Sequence, residues 1–498
     1  MSIALQKFLY YVHHTPDAPA LRARNKTFTY GQLALTTANI LKRLQTGNNL
    51  LIGIVTNDDV YTYAAILAIL FKRTAYVPLN YKNPVDRNRT IIEEAGLKTV
   101  ISSRALNWNL KGVKVLQIGD EMQASAEELY LPQLNADSLA YLFFTSGSTG
   151  KPKGVPVSHA HLNAFLENVI SNENYDFKSS DRFLQMFELT FDLSVFSFFV
   201  PLCVGACCCI IPEQGIQYLQ VIKTLEEQNI TVALMVPSIL NYLQPYFDEI
   251  TLPALRYSLF CGEALYENLT SQWSTCVPHA IIENVYGPTE ATIFFTRYAW
   301  NDLSKNEAVN GILPIGKPMH GLDAVIVDEK NKKIDDGMTG ELCLLGNQVV
   351  KEYWNNKEKT RDAFIHIEGY STPAYKTGDL CFINENENLV YCGRADNQVK
   401  IDGFRVELGE IEYFAKQFSG CDNVAAVAIA GENGNYSIYL FIETKQLVND
   451  LNALLKQKLP PYMIPSRIHL IEQMPYNLNG KIDRNKLKEI AGSQSVIR

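Results

Sequence analysis

Leu142-Phe143-Phe144-Thr145-Ser146-Gly147-Ser148-Thr149-Gly150-Lys151-Pro152-Lys153-Gly154 is the stretch on which the reading of this chain turns. An apolar run gives way at once to hydroxyls and glycines and closes on two lysines. Glycine lets backbone N–H groups approach an anion closely, Ser and Thr add donors toward phosphate oxygens, and Lys supplies charge. A flexible surface loop would account for the glycines alone. The order of the residues, directly after an apolar strand, favours phosphate binding instead. The Gly-x-x-x-x-Gly-Lys-Ser/Thr spacing of a Walker loop is absent.

Outward from this loop, the chain alternates short β-rich runs with helix-like segments. Leu51–Val55, Thr99–Ile101 and Ala324–Val327 are examples. That rhythm predicts an α/β fold of layered sheets with largely buried strands. The stretch from Val309 to Ala395 is richer in Gly, Asn and Lys and suits a distorted β-barrel, with a strand at Glu341–Leu345. The last hundred or so residues read as a small α+β unit. A helix is expected from near Glu407, strands at Val424–Ala430 and Ser437–Glu443, and a helix over Val448–Leu459. Two domains are expected, 1–395 and 396–498.

Composition bounds the function. With 498 residues, 47% hydrophobic and 20% charged, the chain is ordinary globular material too long for one core. The net charge of −8, with both signs interspersed, argues against a dedicated nucleic-acid surface. The apolar run Val195–Ile211 touches the lower length for a membrane span, but Pro201 and Gly205 interrupt it. A buried helix followed by a buried strand, without membrane insertion, is the better reading. The N-terminal residues lack the pattern of a signal peptide. Ten cysteines show no CxxC pair, and Cys207-Cys208-Cys209 lies inside the apolar run. Reduced thiols in the cytoplasm and a monomer are the defaults.

Thr145-Ser146-Gly147-Ser148-Thr149-Gly150-Lys151-Pro152-Lys153-Gly154 resembles the phosphate-loop signature of the adenylate-forming superfamily. That superfamily includes acyl-CoA synthetases, luciferases and the amino-acid adenylation domains of peptide synthetases. Further matching motifs follow in the family's order, from Ala75-Tyr76-Val77-Pro78-Leu79 to Asn479-Gly480-Lys481-Ile482-Asp483-Arg484, so the resemblance covers nearly the whole chain. It implies ATP and Mg²⁺ as cofactors, and a small C-terminal domain that moves about a hinge at Asp396.

The resemblance implies site residues one by one. Thr145, Ser146, Gly147, Ser148, Thr149, Gly150 and Lys153 would cradle phosphates. In Asn284-Val285-Tyr286-Gly287-Pro288-Thr289-Glu290, Tyr286 would stack on adenine, Thr289 would contact the α-phosphate and Glu290 would hold Mg²⁺. Magnesium takes one or two carboxylates with phosphate oxygens, which suits a lone Glu. Asp379 would accept both ribose hydroxyls, as one carboxylate can. Tyr391 and Arg394 would complete the wall. Lys481 would enter the site to stabilise charge on the substrate carboxylate and α-phosphate. Each motif taken alone also reads as a solvated turn.

Asp192 separates amino-acid activation from activation of other acids. A carboxylate beside an otherwise apolar pocket is costly unless something cationic meets it. By resemblance it binds the substrate ammonium, and Phe191 gates the pantetheine tunnel; a helix N-cap is the plain alternative. Leu193, Phe196, Leu259, Cys261, Val285, Ile293 and Phe294 align with the specificity pocket and are all apolar, implying a small to medium, uncharged side chain. Leu259-Phe260-Cys261-Gly262-Glu263-Ala264 resembles D-alanine:D-alanyl carrier protein ligases. Phe196 and Phe294 are bulkier than those pockets carry, and a free-standing peptide-synthetase adenylation enzyme fits as well.

The activity implied is formation of an aminoacyl adenylate, then transfer to the phosphopantetheine thiol of a carrier protein. Because the chain ends soon after Lys481, that carrier is expected in trans. Acid:CoA ligation on a non-amino acid is the competing reading. Departures from the family pattern are Lys72-Arg73-Thr74, Lys351-Glu352-Tyr353, and Asp402 where a basic residue is common.

Overall fold

A computed structural model describes the chain except residues 25, 45–49, 120–128, 148–149, 172–174, 302–306, 397, 432–434, 445–449, 477–481 and 495–498, and the side chains of 493 and 494. The described residues form two compact units. One comprises Met1–Asn80, Ile92–Phe144 and Gly154–Ala395; the other comprises Tyr81–Ile91, Thr145–Lys153 and Asp396–Arg498.

The larger unit is built on three sheets. A nine-stranded sheet runs in the order 317–318, 296–299, 281–286, 257–260, 232–235, 182–185, 207–210, 19–23, 26–29. Its central pairs are parallel and its margins antiparallel. A six-stranded sheet has the order 114–117, 99–102, 51–55, 75–79, 139–145, 153–158. Leu51–Val55, Ala75–Leu79, Cys207–Ile210, Val232–Met235 and Tyr257–Phe260 are buried at every position. Continuous apolar strands of this kind belong to parallel sheets covered on both faces. The third sheet is antiparallel and five-stranded, with Gly340–Gly346 and Ala374–Ile383 at its centre.

The apolar run from Val195 resolves into helix Leu193–Val204 and strand Cys207–Ile210, as its punctuation implies. Pro201 sits in the last helical turn, and Gly205, at φ 78°, closes the helix. Ala206 N donates back to Pro201 O at 2.9 Å, and the buried Tyr30 phenol adds contacts to Pro201 O at 3.2 Å and Ala206 O at 2.9 Å. Helix Val60–Phe71 is almost wholly buried and starts at Asp59, whose carboxylate accepts from Thr62 N at 2.9 Å. Among the described residues no helix is long and apolar enough to cross a membrane.

In the second unit, hairpin Gln398–Ile401/Phe404–Glu407 leads into helix Leu408–Ser419. Asp402 and Gly403 have φ of 49° and 82°, the two left-handed residues of a tight hairpin turn. Asp-Gly is a preferred pair there, so Asp402 has a local conformational reason. A three-stranded sheet of Val424–Ala430, Tyr436–Glu443 and Arg467–Ile471 follows. The helix expected over Val448–Leu459 is shorter, Leu451–Lys456. Left-handed Asp450 precedes it, and Pro460 disfavours helical geometry at Leu459; 445–449 lie outside the described residues.

Candidate active site

Strand Leu139–Thr145 delivers the hydroxyl–glycine loop at its C-terminal end. Thr145 Oγ1 is buried and has no hydrogen-bond partner among the described residues, a donor held ready for an acceptor. Gly147 has no room for a side chain, because a Cβ there would lie 2.1 Å from Lys151 O. Ser146 Oγ donates to Arg405 O at 2.8 Å and accepts from Glu407 N at 3.3 Å. Gly147 N donates to Glu410 Oε2 at 3.3 Å, while Glu410 Oε1 pairs with Arg87 at 2.6 Å. Lys153 lies near Glu407, whose carboxyl is raised mainly by burial, with Lys153 opposing. Ser148, Thr149 and Lys481 lie outside the described residues. Sequence reasoning does not single out Arg87 and Glu410; only the Gly409-Glu410-Ile411-Glu412 stretch hints at them.

Strand Ile281–Tyr286 brings Asn284, Val285 and Tyr286 to a tight turn at Gly287-Pro288. A Cβ on Gly287 would come within 2.6 Å of Phe294 Cα, so only glycine allows these two backbone segments to touch. Asn284 Nδ2 donates to Pro314 O at 2.9 Å, anchoring the strand. Tyr286 Oη donates to Asp379 Oδ2 at 2.6 Å. Asp379 Oδ1 pairs with Arg394, which faces it across the Ala374–Ile383/Leu389–Arg394 ladder. Arg394 also donates to Thr377 O at 3.2 Å. Tyr286, Asp379 and Arg394 thus form one polar cluster, and Tyr391 packs, half-buried, on the adjoining core. Burial, with the Asp379 charge second, pushes the Tyr286 phenol well up, so it stays a donor.

Thr289, Glu290 and Ala291 form a single 3₁₀ turn. Glu290 is fully buried, and its Oε1 accepts from the Tyr353 phenol at 2.7 Å. Val350 N donates to Glu290 O at 2.9 Å. Thr289 hydrogen-bonds the carboxyl of Asp192. Asp192 stands at the N-cap position of helix Leu193–Val204, yet its side chain makes no capping hydrogen bond. It is 8% exposed, and its Oδ2 has no partner among the described residues. Its carboxyl is pushed up to about 7, first by burial and then by the charge of Glu290, with the Thr289 bond opposing. A dry carboxyl with one unmatched oxygen suits a cationic ligand.

Leu193, Phe196, Leu259, Cys261, Val285, Ile293 and Phe294 all fall in one buried cluster. Phe196 and Phe294 meet with ring centroids 5.7 Å apart, and Phe165 meets Phe294 edge-on at 4.9 Å. Phe165, Phe196 and Phe294 thus form one run of touching aromatic rings within this cluster. Phe191 is half-buried one residue before Asp192, and its carbonyl accepts from Ser194 Oγ. Asp396 is exposed, opens the second unit and accepts from Gln398 N at 3.1 Å.

Glu290 fits magnesium chemically. It is a buried carboxylate next to the Thr289 hydroxyl, and a magnesium ion brought by a nucleotide needs few protein ligands. Among the described residues no group of three or more His, Cys, Asp and Glu forms a metal cage.

The buried, largely parallel sheets agree with the fold that the resemblance to adenylate-forming enzymes implies. The chain belongs to the AMP-binding enzyme family, whose model matches residues 8–354. It is similar to zwittermicin A synthase ZmaJ of Bacillus cereus, at 32% identity over 98% of this chain and 95% of that protein. Delta-poly-L-ornithine synthetase of Acinetobacter baumannii is 33% identical over 97% of this chain, but the chain spans only 36% of its length. Among solved structures, the Vibrio cholerae adenylation domain AlmE, in complex with glycyl-adenosine-5'-phosphate, superposes with a TM-score of 0.86 at 27% identity, over 98% of each chain.

Proposed function

We propose that this enzyme activates a small, uncharged amino acid as its aminoacyl adenylate and passes the acyl group to the phosphopantetheine thiol of a separate carrier protein. The observation that carries the amino-acid choice is Asp192, a buried carboxyl with one oxygen unmatched inside an apolar cluster. An ammonium group supplies the missing cation and donor together. The Phe196–Phe294 contact favours a short side chain. The likeness to AlmE, solved with a glycyl adenylate, supports the same reading.

In the first half-reaction the substrate carboxylate attacks the α-phosphorus, and the bond to the bridging oxygen of pyrophosphate breaks. Asp192 holds the ammonium and Thr289 the α-phosphate. Lys481 offsets the negative charge that gathers between carboxylate and phosphate. Tyr286 and Arg394 hold Asp379 for the ribose hydroxyls, and Thr145 donates to phosphate. Glu290 would hold magnesium brought with the nucleotide, and the ion would supply neutralisation of phosphate charge. In the second half-reaction the carrier thiol, losing its proton, attacks the acyl carbon and AMP leaves. Residues 1–395 would hold the nucleotide and amino acid, and 396–498, turning at Asp396, would bring Lys481. The setting we propose is cytoplasmic, with the enzyme monomeric.

Pyrophosphate exchange across amino acids and their des-amino counterparts tests the reading. Exchange with small amino acids, lost in Asp192→Asn, is the expected result. Equal exchange with the des-amino acids, untouched by Asp192→Asn, would sink it and favour acid:CoA ligation.

A further inference from the structure

Directly after Glu290, Thr292 and Ile293 have φ of 59° and 79°. Two successive β-branched residues in the left-handed region are rare, because their side chains crowd the backbone there. Such geometry persists only when its surroundings hold it. This turn carries Ile293 and Phe294 into the apolar cluster beside Asp192, and it lies tight against Gly287 on its other side.

Besides its own backbone bonds, the turn is gripped by the side chain of Gln348. Gln348 is fully buried, and its Nε2 reaches Phe294 O at 3.0 Å, Ala291 O at 3.3 Å and Thr292 O at 3.5 Å. Its own carbonyl accepts from Thr292 Oγ1 at 2.6 Å. The side-chain orientation is fixed from outside, since Gln348 Oε1 accepts from Asn168 Nδ2 at 3.1 Å. An amide that receives at one end and donates at the other cannot flip without losing both sets of bonds. No local sequence pattern announces this role, because every partner lies more than fifty residues away.

We infer that Gln348 is a positioning residue for side-chain specificity: it holds the strained Thr292-Ile293 turn so that Ile293 and Phe294 bound the amino-acid pocket. The inference rests on the proposed amino-acid activation. It differs from a purely structural role in what it moves. Release of the turn lets Phe294 retreat from Phe196, which enlarges the pocket, while the Phe295 N to Tyr286 O bond at 2.7 Å and the Tyr286 phenol's bond to Asp379 lie beyond the residues that Gln348 holds.

The test uses the full-length enzyme in pyrophosphate exchange with a size series of amino acids, with KM measured separately for amino acid and ATP, and melting followed in parallel. Gln348→Met keeps the length and removes the donors. Asn168→Ala, at a half-buried site, only loosens the orientation, so it remains informative if Gln348→Met fails to fold. Asn168→Ala is expected to raise the small-amino-acid KM about fivefold, shift preference toward larger side chains, and leave the ATP KM within about twofold. Gln348→Met should move further in the same direction. Equal change in both KM values, or an unaltered size preference in the folded variants, overturns the inference alone. A wild-type enzyme whose exchange ignores the amino group overturns the proposed function and this inference with it.

Discussion

Tyr286 donates its phenol hydrogen to Asp379 Oδ2 at 2.6 Å, while Arg394 holds the other carboxylate oxygen. Two residues from separate strands thus fix the carboxylate of a third, the one proposed to receive the ribose hydroxyls. Hydrogen bonds to a charged group contribute about 1.5–3 kcal/mol each. Tyr286→Phe keeps the ring and deletes the bond, so the ATP KM is expected to rise about tenfold with little change in amino-acid KM. Steady-state exchange kinetics check this. Equal loss for both substrates would mean that the hydroxyl serves the fold as a whole.

Asp192 makes stability and binding depend on pH in a defined direction. Its folded carboxyl lies at about 7, above the ordinary 3.8. Between these values the folded protein keeps a proton that the unfolded chain has released, so the residue's contribution falls as pH rises from about 4 to about 7. Without substrate, Asp192→Asn is expected to melt higher than wild type at pH 8 and to match it near pH 4. Binding an ammonium group needs the carboxylate form. Amino-acid KM should therefore climb about tenfold per pH unit below about 7, and this limb should vanish in Asp192→Asn. A flat wild-type profile from pH 5.5 to 8 would remove Asp192 from the binding step.

Gly147 gives a sharper steric prediction. A Cβ there meets Lys151 O at 2.1 Å, so Gly147→Ala forces the loop to open. The strand before it, buried through Ala140–Phe143, is untouched. Exchange activity and ATP affinity should fall by at least about tenfold while the melting temperature stays within a few degrees of wild type, about what one kcal/mol moves. A variant with normal ATP kinetics would show that the loop does not close around phosphate as proposed.

What is legible in the sequence, and what stays hidden, follows from the range of the interactions. The break in Val195–Ile211 is readable because Pro201 and Gly205 act locally, and helix Leu193–Val204 with strand Cys207–Ile210 is the outcome. The loop at Thr145–Lys153 is readable because its hydroxyls and glycines are contiguous. Asp192 stands out as an oddity in an apolar setting, although its missing capping bond does not. Tyr353 reads only as part of a weakened motif, since its tie to Glu290 spans 63 residues. Gln348 is invisible for the same reason, and the Arg87–Glu410 pair shows only as a Glu in the Gly409–Glu412 stretch. Helix Leu451–Lys456 is shorter than its sequence suggests because apolar spacing masks the left-handed Asp450 and the following Pro460.

The role proposed for Lys481 separates the two half-reactions. This lysine lies in an Asn-Gly-Lys stretch that resembles the family's catalytic-lysine motif. A compact cation aimed at developing negative charge contributes roughly 10²–10³ in rate. That charge gathers when the carboxylate attacks the α-phosphorus, whereas thiol attack on a finished adenylate releases AMP from a bond already activated. Lys481→Ala is therefore expected to cut pyrophosphate exchange by about 10²–10³ and to slow transfer from a supplied aminoacyl adenylate to a holo carrier far less. Single-turnover measurements with preformed adenylate resolve the two steps. Proportional loss in both would assign Lys481 to holding AMP throughout, and an unchanged exchange rate would remove it from the chemistry.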